Sequence, residues 1–119
     1  GFEWLSRMQR GDGAWFAAYQ GDVVADDTRA ETNFVAYVAT GLWHYYLATQ
    51  DRQSLTRYWP MVRRAVEFVL AQQAPSGEIY WAVDSNSGTS KDAFSPKLYR
   101  SNEVKAMIAM LPKINLGVI

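Results

Sequence analysis

Two stretches of this chain, 64 positions apart, spell the same local instruction. Around Trp4-Leu5 an apolar helical run leads to Gln9, and Gly13 follows four residues later; around Phe68-Val69 a second run leads to Gln73, and Gly77 follows four residues later. Each unit is a helix, a stop and a pinned turn. The glycine supplies the backbone freedom needed where a helix ends and the chain reverses, and Asp12 beside Gly13 favours a turn by bonding to nearby amides. Trp15 leaves the first turn and Ile79 occupies the equivalent place in the second. An internal repeat at a fixed period restricts a chain to repetitive architectures, and this period suits a unit of two helices and two loops.

The order aromatic, aliphatic, Gln, Gly, Trp on Trp4, Leu5, Gln9, Gly13 and Trp15 resembles the QW repeat of the squalene-cyclase and prenyltransferase families. That resemblance implies an all-α fold: helical hairpins forming part of an α/α toroid, with short extended loops after each repeat. It divides a single partial domain into a first repeat at about 1–63, a second at about 64–111 and a tail at 112–119. The chain opens on Gly1 inside a repeat, so it is expected to be a piece of something longer.

A first helix ends near Arg10, and 12–24 turns extended, as a hairpin or an ordered loop. Thr28 with Glu31 three residues on fits a capping box, with Asp26 and Asp27 ahead of it at the positive end of a helix running to about Thr49. Phe34, Val38, Leu42 and Tyr45 form its apolar stripe, and Gly41 within it suggests the close approach of a neighbouring helix. Ser54 can cap the next helical segment. Pro60 suits the first turn of a helix better than its interior, so 55–58 is expected to be a separate turn before a main helix at 59–73. Residues 78–83 alternate in extended style, 84–92 read as a loop, and a last helix is expected at 97–111, ended by Pro112.

Composition narrows the classes of function. The 119 residues carry 12 basic and 12 acidic side chains, a formal net charge of zero that gives no support for nucleic acid as partner. No apolar run is long enough to span a bilayer, and the expected location is cytoplasmic. There is no cysteine, so a thiolate zinc site of the kind used by protein prenyltransferases cannot be built here; no cofactor can be named. Five Trp, seven Tyr and five Phe are enough rings to fill a core, stack on sugars or shelter a carbocation.

The QW resemblance implies terpene chemistry on an isoprenoid substrate. The acidic motif of those cyclases has its nearest match at Val24-Ala25-Asp26-Asp27-Thr28, which lacks the first Asp, so Asp26 and Asp27 are the candidate catalytic residues. A second resemblance points elsewhere. Glu31-Thr32-Asn33, Trp43-His44-Tyr45-Tyr46, Thr49-Gln50-Asp51, Trp59-Pro60 and 68–73 look like six-hairpin glycosidases of the glucoamylase kind. Those use two carboxylic acids in loops at inner helix ends, one to protonate the glycosidic oxygen and one to activate water. Under that reading the carboxylates are drawn from Asp26, Asp27, Glu78, Asp84 and Asp92, and Trp15, Tyr19, Tyr80 and Trp81 are candidate substrate-binding rings. Each has a plainer reading as well: Asp26 and Asp27 as helix caps, the tryptophans as helix–loop packing, His44 as a core hydrogen-bonder, Arg63-Arg64 as a solvated face. A third reading is a catalytically inert fragment that self-associates through exposed helix faces.

Overall fold

The computed structural model describes residues 1–77, 79–86 and 90–91. Glu78, Asp92, the expected helix at 97–111 and the tail lie outside the described residues. Among the described residues three helices and five short strands follow in the order α1 (Phe2–Met8), β1 (Ala18–Gln20), β2 (Val23–Asp26), β3 (Arg29–Glu31), α2 (Thr32–Thr49), α3 (Arg52–Leu70), β4 (Ala82–Asp84) and β5 (Ser90–Lys91). The strands form two antiparallel sheets, β1-β2 and β3-β4-β5. The all-α expectation is therefore corrected to a mixed helix-and-sheet architecture. The periodicities that suggest helices are real, but the short segments between them pair with one another, and neighbouring backbone donors and acceptors are satisfied as ladders.

Helices α2 and α3 form an antiparallel hairpin that carries the core. Val35, Ala36, Val38, Ala39 and Leu42 of α2 are buried against Leu55, Met61, Val62, Ala65, Val66 and Val69 of α3. The connection is tight because Gln50 adopts a left-handed conformation, φ 56°, and returns its amide to the Tyr46 carbonyl at 2.7 Å. Asp51, not Ser54, is the cap of α3: its carboxylate accepts from the Ser54 amide at 3.0 Å and the Ser54 hydroxyl at 2.7 Å. Those bonds, the Tyr45 hydroxyl and the Gln53 amide hold the Asp51 carboxyl below its usual range, the Ser54 amide contributing most. With the first turn fixed there and Leu55 buried, the helix runs through Pro60 without a break, so the expected separate turn at 55–58 belongs to α3. Pro60 is exposed, where the carbonyl it leaves without an amide partner can be hydrated.

The duplicated turn has the same geometry in both copies. The Gln9 side-chain amide donates to the Gly13 carbonyl at 2.8 Å, and that of Gln73 donates to the Gly77 carbonyl at 2.8 Å. The Gly13 amide reaches Arg10 O at 3.0 Å and the Gly77 amide reaches Ala74 O at 2.9 Å. Both glycines have left-handed φ, +96° and +102°. The copies differ in what they serve. Gln9 also donates to Met61 O at 2.9 Å and accepts from Arg64 at 2.5 Å, which fastens the first turn onto α3. Gly13 lies so close to the Arg64 carbonyl that a Cβ there would sit under 3.0 Å from it. That is the close approach expected at Gly41, where a Cβ would meet only the Phe2 ring at 3.9 Å.

Thr28 and Glu31 do not form a capping box. Residues 29–31 are strand β3, paired with β4 in the register Arg29↔Asp84, Ala30↔Val83, Glu31↔Ala82. Helix α2 starts at Thr32, whose amide bonds Trp81 O at 2.8 Å and whose hydroxyl is shared between Tyr80 O and Trp81 O at 2.8 and 2.9 Å. Pairing with a strand some fifty residues away thus pulls the start of α2 forward to the fully buried Thr32.

Candidate active site

A cleft of about 400 Å³ opens between α1, the segment 15–19 and the first half of α2. Its walls are rings: Trp4, Trp15, Phe16, Tyr19, Phe34 and Tyr37. Trp15 is locked in place, donating its indole N–H to Leu5 O at 2.9 Å, and Trp4 meets Tyr19 edge-on with ring centroids 5.1 Å apart. The β1-β2 hairpin that carries Tyr19 is tied to α1 at its tip, where Asp22 accepts from the Trp4 indole at 2.7 Å and from Arg7 at 3.2 Å.

Among the described residues lining this cleft the only carboxylate is Glu31. It is 7% exposed, at the N-cap position of α2, yet its side chain makes no cap bond. Instead the Arg29 guanidinium grips one of its oxygens from two donors, Nε at 2.9 Å and Nη2 at 2.7 Å, both on Oε1. Oε2 has no partner among the described residues. One oxygen is anchored and the other is left over beside a wall of aromatic rings. A buried carboxylate needs a counter-charge to be tolerated, and Arg29 with the positive end of the α2 dipole supplies it.

Arg29 has a second partner. Its Nη1 reaches Asp26 Oδ2 at 3.2 Å, and the guanidinium lies 6.0 Å over the Trp81 ring. Asp26 is fully engaged: its Oδ1 accepts from the Thr28 hydroxyl at 2.6 Å and the Thr28 amide at 2.9 Å. Those two bonds, and after them the charge of Arg29, hold its carboxyl below the usual range. Asp27 next to it is exposed, with no hydrogen-bond or ion-pair partner among the described residues.

Of the residues singled out from sequence, Trp15 and Tyr19 are brought together in the cleft with Glu31. Asp26 is joined to that group through Arg29. Tyr80 and Trp81, half-buried, precede β4 and do not line the cleft; Trp81 serves as the ring under Arg29. Asp84 lies on β4 opposite Arg29 and lines a separate cleft with Arg10, Asp12 and Glu67. His44 is exposed on α2. Sequence reasoning passes over Glu31 as a site residue because the same residue completes a plausible capping box. The signal that could find it is the charged–small–charged alternation Arg29-Ala30-Glu31, which suits a strand.

No family model matches this chain. Two curated sequences are similar to it. The chain is 45% identical over 92 residues to the MMP endo-(1,4)-3-O-methyl-alpha-D-mannosidase of Mycolicibacterium hassiacum, a match that covers 77% of this chain and 25% of that protein. It is 26% identical over 68 residues to an uncharacterized glycosyl hydrolase of Methanocaldococcus jannaschii, covering 57% of this chain and 11% of that protein. The chain thus spans about a quarter of the length of the first relative and about a tenth of the second. Both relatives are glycosyl hydrolases by name, which is the class the second resemblance points to; neither supports the prenyltransferase reading or the QW-repeat attribution. No helix of the described residues is long and apolar enough to cross a membrane.

Proposed function

We propose that these residues form part of a glycoside hydrolase, of the six-hairpin glycosidase kind, that cleaves within an O-methylated α-mannan. The observation that carries the reading is Glu31, a buried carboxylate with one oxygen anchored by Arg29 and the other without a partner among the described residues, in an aromatic cleft. The mannosidase relative supports the reaction class, and its name suggests the substrate to test.

The chemistry derives from the donor set. An ion-paired carboxylate accepts hydrogen bonds and donates none, so Glu31 suits activation of water or attack at the anomeric carbon rather than protonation of the leaving oxygen. Glycoside hydrolysis takes a second carboxyl group to donate that proton. Among the described residues no second carboxylate lines the cleft: Asp27 is exposed and unengaged but outside the lining, and both oxygens of Asp26 are occupied. Tyr19, half-buried, and the exposed Phe34 and Tyr37 offer apolar faces to the C–H faces of a sugar, with the buried Trp15 behind them in the cleft wall. A methoxy carbon laid against them adds about 0.8 kcal/mol relative to a hydroxyl left in water, so the lining favours a methylated sugar over a bare one.

The test uses the full-length polypeptide that carries these residues, incubated with 3-O-methylated and with unmethylated α-mannan oligosaccharides, and reads products by mass spectrometry. Expected are internal cleavage of the methylated substrate and a fall of roughly 10²–10⁴ in rate for Glu31→Gln, with oligosaccharide binding retained. No cleavage of either substrate by the wild-type protein overturns the proposal. Equal rates for wild type and Glu31→Gln overturn the role of Glu31.

A further inference from the structure

The geometry points to Arg29 as a positioning residue of this site, with Asp26 and Trp81 as the parts that hold it. We infer that Arg29 fixes the direction in which Glu31 presents Oε2, the oxygen that Arg29 does not hold, and that Asp26 acts through Arg29 without touching substrate. The inference rests on the glycosidase reading above and adds residues that reading does not require.

A carboxylate at the end of a glutamate side chain rotates freely unless both its carbon chain and its oxygens are constrained. Burial constrains the chain. The oxygens are constrained by two donors of a single planar group that converge on Oε1 at 2.9 and 2.7 Å. A planar guanidinium can do this because its N–H groups are rigidly spaced; an ammonium offers the charge without the fork. The fork is itself fixed from other sides. Asp26 holds Nη1 at 3.2 Å, and Asp26 in turn is fixed by the amide and hydroxyl of Thr28. The Trp81 ring lies beneath the guanidinium, and the β3–β4 register sets the Arg29 backbone opposite Asp84. Arg29 is not among the residues lining the cleft, so its effect on the reaction passes through Glu31. The arrangement is a chain from Thr28 to Asp26 to Arg29 to Glu31, ending at the cleft wall. A carboxylate free to swing is misdirected for part of the time, and a displacement of about 1 Å at a reacting group can cost on the order of 100-fold in rate.

The experiment measures kcat and KM on the full-length polypeptide for Arg29→Gln, Arg29→Lys and Asp26→Asn, with a thermal melt of each. Expected for Arg29→Gln is a ten- to hundredfold lower kcat with KM within about twofold of wild type. Arg29→Lys, which keeps the charge and loses the fork, is expected to recover only part of that loss. Asp26→Asn can still accept from Thr28 but loses its charge toward Arg29, and is expected to lower kcat two- to fivefold at unchanged KM. This variant keeps the idea testable if Arg29→Gln does not fold. A wild-type kcat in Arg29→Gln overturns the inference while leaving the hydrolase reading intact. So does a rise in KM alone, which would make Arg29 a substrate contact. If the wild-type protein cleaves no mannan, the hydrolase reading fails and this inference with it.

Discussion

Replacing Gly13 by alanine tests the close approach of the first turn to α3. At φ +96° an L-residue with a Cβ suffers about 1–2 kcal/mol of local strain. The added Cβ would also stand under 3.0 Å from the carbonyl of Arg64, a backbone atom of α3 that cannot rotate aside. Overpacking of that kind costs about 1–3 kcal/mol as helix and turn are pushed apart. The loss of chain freedom in the unfolded state offsets about 0.4–1 kcal/mol of this. The net is a destabilisation of about 2–4 kcal/mol. With a urea slope of about 1.5 kcal/mol/M, the unfolding midpoint falls by about 2 M. The assay is urea unfolding followed by tryptophan fluorescence and circular dichroism, with coincident curves as the check on a two-state transition. Gly77 is the matched control: its φ is +102°, but a Cβ there would meet only the Gln73 side-chain amide at 4.0 Å. Gly77→Ala therefore carries the strain without the clash, a net of about 1 kcal/mol. Gly21→Ala, at φ +60° with open space around it, should behave like Gly77→Ala. If Gly13→Ala and Gly77→Ala lose the same stability within about 0.5 kcal/mol, close apposition of the first turn to α3 is refuted and only the shared backbone conformation stands.

Three further perturbations probe the core, the cleft and a helix cap. Leu42→Ala, at a fully buried position between α2 and α3, should cost about 2–5 kcal/mol in the same unfolding assay. Trp15→Phe removes the indole donor to Leu5 O and should weaken oligosaccharide binding less than Trp15→Ala does, measured by calorimetry on the full-length protein. Asp51 has its carboxyl held below the usual range in the folded state, so its contribution to stability is fully present above the unfolded carboxyl's pKa and fades as pH falls through the lower folded value. Asp51→Ala should therefore lower the melting temperature near neutral pH and narrow its gap to wild type on acidification below about pH 3.8, where thermal melts at a series of pH values would show it.

Local features are legible where neighbours in sequence are also neighbours in space. The two Gln-to-Gly locks are visible because all their atoms fall within five residues, and the structure gives both the same bonds. The α2–α3 hairpin is visible for a similar reason, since apolar periodicity and a polar turn are short-range signals. The site is only half legible. Trp15 and Tyr19 stand out as rings beside a turn, but nothing in the order of residues distinguishes them from Tyr80 and Trp81, which lie away from the cleft. Glu31 satisfies a helix-start pattern equally well as cap or as strand residue.

What the sequence determined by itself was therefore conformational preference: where helices stop, where glycine is needed, and how much ring and carboxylate is present. Tertiary structure decided which preference prevailed. The pairing of 29–31 with 82–84 removed Glu31 from a capping role and turned it toward Arg29, because a strand partner satisfies the backbone that the cap would otherwise have served. Packing of the first turn on Arg64 made Gly13 and not Gly41 the glycine of closest approach. Whether a carboxylate caps a helix or faces a cleft depends on residues about fifty positions away, and only the folded chain brings those together.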